Sequence, residues 1–589
     1  MPKIDRNVNY RNRKGFSSFD ISHEVDFSSS CGHLLPVMYD ILSPGERVDL
    51  QYELKTRTQP LDAAANLDIE ECIDTFFVPI NQLYEPFKSI IYGIEDVGSD
   101  FYSVDIQGRF GQIGNTIPYV TLANLKTLVQ STAGTNEASS TILPSWAEIV
   151  RFLDLINIPW KAFCEGAVDG DTGDVDLSQS VNLLVPCAYQ KIFMDFYRIS
   201  DYQANDPQAY NLDSFYTSPE LTSQTRLAKL FKLRRVPYAP DFYTNIKPSP
   251  LFSYNDTNAV GNGTLMLHIN QWLSSAANIR PLGIDSGTTE GRPSTAPSKA
   301  TTTGISVNPA SNNASLADLQ RFMNPANIRA IFASEKLLEV TRRAGKHYDA
   351  QTAAHFGFDV NEGIEGQAFF IGHHQQKLQI GDVVSTAATE DESLGTIAGR
   401  AYSFDRSNHA RFTAPCHGVL MSIFYIKPRA KYTPVALDKL HQFLYPNDFY
   451  HPEFDNLGMQ PLFHGNLIYN GGTAATNAAI EGWQYRYMEL KKKKNAVHGA
   501  LASSLNYWTF NRRMPVVNAL NLTVSPSDLN ANFLLQYKEL LPKPTNTTLT
   551  EAEWYSQVFD GDNFMNFLQI NYNKASRMST FGLPNLDTL

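Results

Sequence analysis

Val48, Leu50, Tyr52 and Leu54 alternate with Asp49, Gln51, Glu53 and Lys55. A period of two held over this run puts the apolar side chains on one strand face and the polar ones on the other. Pro44-Gly45 just upstream supplies turn chemistry, so the strand is predicted to follow a reversal. In LDIEECIDTFFVP, residues 67–79, Leu67, Ile69, Ile73 and Phe77 share one parity. A second long strand is predicted there, with Phe76, Phe77 and Val78 anchoring its end and Pro79 stopping it. VLMSIFYIKP at 419–428 is apolar without alternation, the pattern of a strand covered on both faces. KLQIGDVV at 377–384 is a weaker strand pattern.

Helical periodicity is scarcer. NPANIRAIFASEKLLEVTRRAG, 324–345, opens with Asn324 as N-cap and Pro325 at the first helical position, and Gly345 suits the stop. PCAYQKIFMDFYRIS, 186–200, also reads as helix. The pattern predicts a β core with long excursions between strands, and excursions of that length carry function or contacts. Within 285–315, 21 of 31 residues are Gly, Pro, Ser, Thr or Asn, so this segment is predicted to be an exposed loop without a core. GTLMLHINQWL at 263–273 reads as a strand available for pairing with symmetry-related copies. No repeat of solenoid or propeller length is present.

The chain has 589 residues, 43% hydrophobic and 12% aromatic, with 35 Phe and 28 Tyr, enough for large cores or large subunit interfaces. No apolar run reaches the length of a membrane helix, and MPKIDRNVNYRNRKG lacks the apolar stretch of a signal peptide. Cys31, Cys72, Cys164, Cys187 and Cys416 are scattered and odd in number, which points to reduced thiols made in a cytosol. A net charge of -11 counts against general nucleic-acid binding, yet the cations are clustered. Lys3, Arg6, Arg11, Arg13 and Lys14 face only Asp5 in the first fourteen residues; Lys491, Lys492, Lys493 and Lys494 form a run; Arg512 and Arg513 form a pair. Such clusters are ordinarily solvated surface. The functional reading is phosphate contact by Arg11, Arg13, Lys14, Lys491–Lys494, Arg512 and Arg513, with the arginine pair ranked first because guanidinium forks match phosphate. Tyr507, Trp508 and Phe510 lie close enough in sequence to stack on bases, although core packing is their ordinary role.

Catalytic vocabulary is missing. There is no phosphate loop, no dinucleotide fingerprint, no nucleophile elbow, no zincin helix and no Cys-x-x-Cys pair. His373-His374 is the best metal candidate, but adjacent strand residues face opposite ways and share a metal with difficulty. His451, Glu453 and Asp455 cluster in a polar stretch of the kind that arises by chance. The expectation is a structural or binding protein with no catalytic residue, metal or cofactor.

Several blocks, in chain order, carry a family resemblance. FDISHEVDFSSSCGHLLPV, ILSPGERVDLQYELKTRTQPL and DTFFVPINQLYEPF open the series, and LVPCAYQKIFMDFYR (184–198) and RVPYAPDFYTNIKPSPLF (235–252) follow. ASEKLLEVTRRAGKHYDAQTAAHFG, HGVLMSIFYIKPRAKY, DFYHPEFDNLGMQPL, WQYRYMELKKKKNAVHG and RMSTFGLPNL complete it. The block at 235–252 is the looser match, because Asp241-Phe242 stands where the family has Asp-Tyr. Together they resemble the major capsid proteins of the Microviridae, in particular the gokushovirus-like and Bacteroidota-infecting group.

The resemblance implies a mainly β fold, an eight-stranded antiparallel jelly roll with long inter-strand insertions containing a few helices. It implies a T=1 shell of sixty copies with fivefold, threefold and twofold contacts, enclosing circular single-stranded DNA on its inner surface. The layout it implies is a basic arm at 1–30, a first part of the barrel at 31–251, a surface protrusion at 252–317, and the rest of the barrel with inter-subunit insertions and tail at 318–589. Implied partners are a minor DNA-binding or pilot protein, a scaffolding protein and a host surface glycan or receptor, with no membrane. The virion would be assembled in the cytoplasm of a bacterial host. A jelly-roll carbohydrate-binding protein or glycan-active enzyme and a host-attachment spike are the competing readings, because this fold recurs with unrelated functions.

Overall fold

The computed structural model describes residues 15–58, 65–92, 116–132, 146–163, 176–215, 218–248, 265–267, 305–307, 348–357, 366–384, 397–433, 437–455, 459–467, 479–512 and 562–578, with Phe559 and scattered positions between 333 and 344. The chain divides into two compact units, one of residues 1–244, 362–435 and 494–589, the other of 245–361 and 436–493.

The first unit is built on two antiparallel sheets. Its strands begin with β1 (Ser17–Asp20), β2 (His23–Ser29), β3 (Leu35–Leu42), β4 (Arg47–Thr58) and β5 (Ile69–Pro79). A small pair, β6 (Tyr119–Thr121) and β7 (Ser180–Asn182), lies in the long insertion that follows. After β8 (Leu265–Leu267) and β9 (Ile305–Val307) of the second unit come β10 (Phe369–Lys377), β11 (Gln379–Val384), β12 (Ile397–Arg406), β13 (Ala410–Thr413) and β14 (Gly418–Pro428). The second unit then contributes β15 (Met459–Phe463) and β16 (Ile480–Tyr485), and the first unit ends with β17 (Phe564–Ser576).

The larger sheet has seven strands in the order β1–β17–β4–β12–β11, with β2 also on β17 and β13 also on β4. The smaller has four, in the order β10–β5–β14–β3. Eight of these strands run in the orders β2–β17–β4–β12 and β3–β14–β5–β10 in two antiparallel sheets, an arrangement consistent with a jelly roll. The other three, β1, β11 and β13, extend the larger sheet. Strand pairing starts at Ser17, so residues of the 1–30 segment already belong to a sheet.

β4 follows its sequence pattern except at Gln51, which is buried and donates to the Ser407 carbonyl at 2.9 Å. Val48, Leu50, Tyr52 and Leu54 are buried while Arg47, Lys55 and Arg57 are exposed. The turn before it uses Gly45 at φ 83°, a left-handed conformation that glycine adopts without a Cβ clash, and the Gly45 N–H donates to the Ala414 carbonyl at 2.7 Å.

β5 departs from its pattern by being buried along its whole length, Glu70, Glu71 and Asp74 included. The cause is a cover on its outer face. The helix Leu184–Ile192 and the π-helical turn Phe193–Tyr197 bring Phe196 to 4.8 Å and Tyr197 to 6.0 Å of the Phe76 ring. The Tyr197 hydroxyl donates to Asp74 at 2.5 Å. The helix expected at 186–200 is therefore present, with its last turn widened. β14 is buried on both faces, as its unbroken apolar run predicts.

Between the sheets, aromatic contacts join Phe27 to Phe424 at 5.1 Å and Phe77 to Phe412 at 5.0 Å. Polar groups there are paired across the layers. The Tyr52 hydroxyl lies 2.8 Å from Thr75 Oγ1 and 2.7 Å from Ser422 Oγ. Glu71 accepts from Ser403 at 2.6 Å and from Gln376 at 2.5 Å, and burial pushes its carboxyl above the usual range.

In the second unit, β15 pairs with β16, and Lys247 exchanges backbone hydrogen bonds with Trp483 at 2.8 Å each way. A helix spans Tyr348–Phe356, and the described positions between 333 and 344 are helical, within the helix expected at 324–345. β8 pairs with β9 of the same chain. The strand expected at 263–273 for pairing between copies thus has an internal partner over Leu265–Leu267; the remainder lies outside the described residues.

Candidate shell-contact and nucleic-acid surfaces

Of the sequence-predicted phosphate contacts, Arg11, Arg13, Lys14 and Arg513 lie outside the described residues. The lysine run sits at the end of the short helix Met488–Lys491. Lys491 and Lys493 are exposed, while Lys492 and Lys494 are half-buried. The Lys491 ammonium pairs with Asp455 at 2.7 Å and that of Lys493 donates to the Glu489 carbonyl at 3.2 Å. Lys494, in the first unit, donates to the Tyr243 hydroxyl at 3.3 Å.

Arg512 is an enclosed cation. Ranked first as a phosphate fork, it is 6% exposed, with its guanidinium carbon 3.9 Å from the centre of the Tyr238 ring. One of its nitrogens donates to the Tyr432 hydroxyl at 3.2 Å, and that hydroxyl donates in turn to Asp241. Asp241 also accepts backbone N–H bonds from Tyr243 at 2.8 Å and Thr244 at 2.7 Å. The cation is used up inside this tyrosine–aspartate cluster. Burial and Asp241 together push the Tyr432 phenol well above its usual range, so the hydroxyl stays a donor to the carboxylate. Phe510 is buried as well, in keeping with core packing.

The two strand histidines split as their parity requires. His373 Nδ1 lies 2.5 Å from Asp74, and this hydrogen bond raises the imidazole above its ordinary value. His374 is half-buried on the other face, and burial lowers it. Asp455 is taken by Lys491, which leaves the 451–455 cluster a surface ion pair. Among the described residues no group of three or more His, Cys, Asp or Glu is placed to hold a metal ion. Cys31, Cys72, Cys187 and Cys416 are unbridged, and burial pushes the Cys72 thiol up to about 12, away from nucleophilic use.

One surface went unread in the sequence. In the second unit Leu444 and Tyr445 are 76% and 69% exposed, and Leu437, Phe449 and Tyr450 are each more than half exposed. The backbone that carries Leu444 and Tyr445 is pinned. Asp448 accepts the backbone N–H groups of Leu444 and Tyr445 at 2.9 and 2.8 Å, and Phe443 meets Phe449 edge-on at 5.5 Å. Exposed large apolar side chains concentrated in one stretch of chain are the composition found at protein contact surfaces. The only sequence signal of this surface is apolar residues scattered without a period among Pro and Asp.

The described residues form a two-sheet β framework in the first unit and expose several large apolar side chains in the second. The family model described as capsid protein (F protein) matches residues 168–555, and the chain belongs to this family, the major capsid proteins of the Microviridae. It is similar to capsid protein VP1 of Chlamydia phage 1, 21% identical over 243 residues, covering 37% of this chain and 41% of that protein. It is also similar to capsid protein VP1 of Spiroplasma virus 4, 23% identical over 192 residues, covering 31% of this chain and 34% of that protein. The matched stretches span less than half of either relative. Among the described residues no helix is long and apolar enough to cross a membrane.

Proposed function

We propose that this capsid protein assembles, without enzymatic activity, into a closed T=1 shell of sixty copies around circular single-stranded DNA. The observation that carries the assembly reading is the exposed cluster of Leu437, Leu444, Tyr445, Phe449 and Tyr450. An aromatic patch of this kind is costly in a free monomer and is covered at subunit contacts. Closed point-group symmetry then satisfies every copy alike. The genome is held by local, sequence-tolerant contacts from the arm residues Arg11, Arg13 and Lys14 and from Lys491–Lys494 and Arg513, with Arg512 supporting the neighbouring chain from within. Residues 252–317 form the surface protrusion, whose polar tip hydrogen-bonds a host surface glycan or receptor. Assembly takes place in the bacterial cytoplasm with scaffolding and pilot or minor DNA-binding partners.

Electron microscopy and sedimentation of the purified chain test this reading. Closed particles are expected from the parent, and folded unassembled subunits from a Leu444→Asp, Tyr445→Asp variant. Particles from that variant indistinguishable from the parent's would remove the proposed contact. Deleting 285–315 should leave particles that no longer adsorb to the host.

A further inference from the structure

The outer face of the seven-stranded sheet has a composition that neither the fold nor the docking cluster accounts for. Alternation along β12 turns Ala401 and Ser403 inward and Tyr402 and Phe404 outward, where they are 57% and 66% exposed. On β17 the outward Phe567 is 42% exposed, while Asn566 and Leu568 are buried. Between them runs β4, with Lys55 and Arg57 outward and exposed. The register fixes their neighbours. Tyr402 lies opposite Arg57, Phe404 opposite Lys55, and Lys55 in turn opposite Phe567. Neighbouring strands are about 5 Å apart and residues two apart along a strand about 7 Å, so a row of two cations on β4 runs between the ring pair of β12 and Phe567 of β17.

The side chains of Lys55 and Arg57 have no hydrogen bond or ion pair among the described residues. The carboxylates nearby are engaged or peripheral: Glu53 pairs with Arg406 at 2.9 Å, and Asp26 on β2 stands at the far end of the row, opposite Phe567. At a corner of the same sheet the Phe16 ring lies between two guanidinium groups, those of Arg47 and Arg577, each 5.4 Å from its centre. Phe16 is where the described chain leads back into the basic segment 1–14.

We propose that this open sheet face is a binding platform for single-stranded nucleic acid, in which unpaired bases stack on Tyr402, Phe404 and Phe567 while Lys55 and Arg57 neutralise the phosphates between them. The proposal rests on the reading that the shell encloses single-stranded DNA, and it adds the open sheet face to the arm, lysine and Arg513 contacts. Exposed rings interleaved with free cations are what sequence-tolerant single-strand binding needs, because every base has a π face and every nucleotide a charge. A second copy of this chain fits the face less well. Lysine is depleted at the centres of protein interfaces, and burying Lys55 and Arg57 would require carboxylates from the partner.

The test is fluorescence anisotropy of a labelled oligothymidylate titrated with the full chain over a range of salt concentrations. The parent should bind. A Tyr402→Ala, Phe404→Ala variant should bind at least about tenfold more weakly with an unchanged salt slope, because stacking is not electrostatic. A Lys55→Gln, Arg57→Gln variant should lower the slope of log K against log salt by about 1.4, at about 0.7 per single-strand phosphate contact. The substituted side chains are exposed, so both variants should melt with the parent. If the parent binds and both variants match it, the platform is wrong while DNA enclosure stands. If the parent fails to bind both as dissociated subunits and when the oligothymidylate is present during assembly, the enclosure reading falls and the platform with it. Loss of self-association in these variants, with DNA binding intact, would make the face a subunit contact and overturn the proposal.

Discussion

The two sheets of the barrel are built from similar strands and treated in opposite ways. β5 and β14 of the smaller sheet are buried at nearly every position, whereas β4 and β17 of the larger one alternate buried and open along their length. The difference comes from the long insertion, not from the strands. The helix Leu184–Ile192 and its π-helical turn cover the outer face of β5, and no described element does so for β4 or β17. A covered sheet holds its charged groups at the cost of pairing each one, as Asp74 shows. An open sheet leaves its cations free to meet something from outside.

That contrast predicts a steep difference between two phenylalanines. Phe76→Ala, at 1% exposure on β5 beneath Phe196 and Tyr197, should cost about 3–5 kcal/mol in chemical denaturation. Phe404→Ala, at 66% exposure on β12, should stay within about 0.5 kcal/mol of the parent. Comparable losses at both sites would break the comparison.

Gly418 probes how tightly the covered sheet is packed. A Cβ there would collide with the Phe77 ring and approach the Val78 carbonyl oxygen to 2.7 Å. Gly418→Ala should therefore destabilise by about 1–3 kcal/mol through overpacking, read as a lower denaturation midpoint at unchanged m value. Tyr197→Phe removes one donor from buried Asp74 and should cost about 1.5–3 kcal/mol. A neutral result would mean that the insertion lies loosely on the sheet.

The smallest effect is a pH dependence. The Asp74 hydrogen bond raises His373 above its unfolded value, so this contribution is fully present below about pH 6.5 and fades as pH climbs through the folded value. Burial lowers His33, which acts the other way: its contribution is present above about pH 6.5 and is lost on acidification. The melting-temperature gap between the parent and His373→Gln isolates the first term and should be wider at pH 5.5 than at pH 8.5. An equal gap at the two values would falsify the assignment.

How much of this was legible follows from the range of each interaction. Val48, Leu50, Tyr52 and Leu54 announced β4 because strand periodicity is local. In β5 the same reading stopped short, since Glu70, Glu71 and Asp74 look solvated until their distant partners are known; Tyr197 is 123 residues from Asp74. β17 escaped notice although it alternates well, because Asn566 and Lys574 point inward while Met565 and Phe567 point outward. The family blocks carried the fold class, whereas the site was harder to read. Arg512 and Lys55 are both cations in sequence, and only burial separates a cation enclosed by tyrosines from one facing solvent.

The central position of β17 has a consequence for how the chain comes to be made. It lies between β4 and the β1–β2 pair, and Thr56 donates to Asn566 across 510 residues of sequence. A nascent chain emerging from the ribosome therefore presents β4 long before its neighbour exists. Throughout that interval the larger sheet has an unfilled slot with bare backbone donors and acceptors, a template for pairing with the wrong strand. The subunit is thus kinetically barred from maturing early, and contact order this high makes closure slow once the strand arrives. Chains ending before Phe564 should collect as aggregates instead of joining particles, so that translation itself acts as a checkpoint on which copies enter a shell.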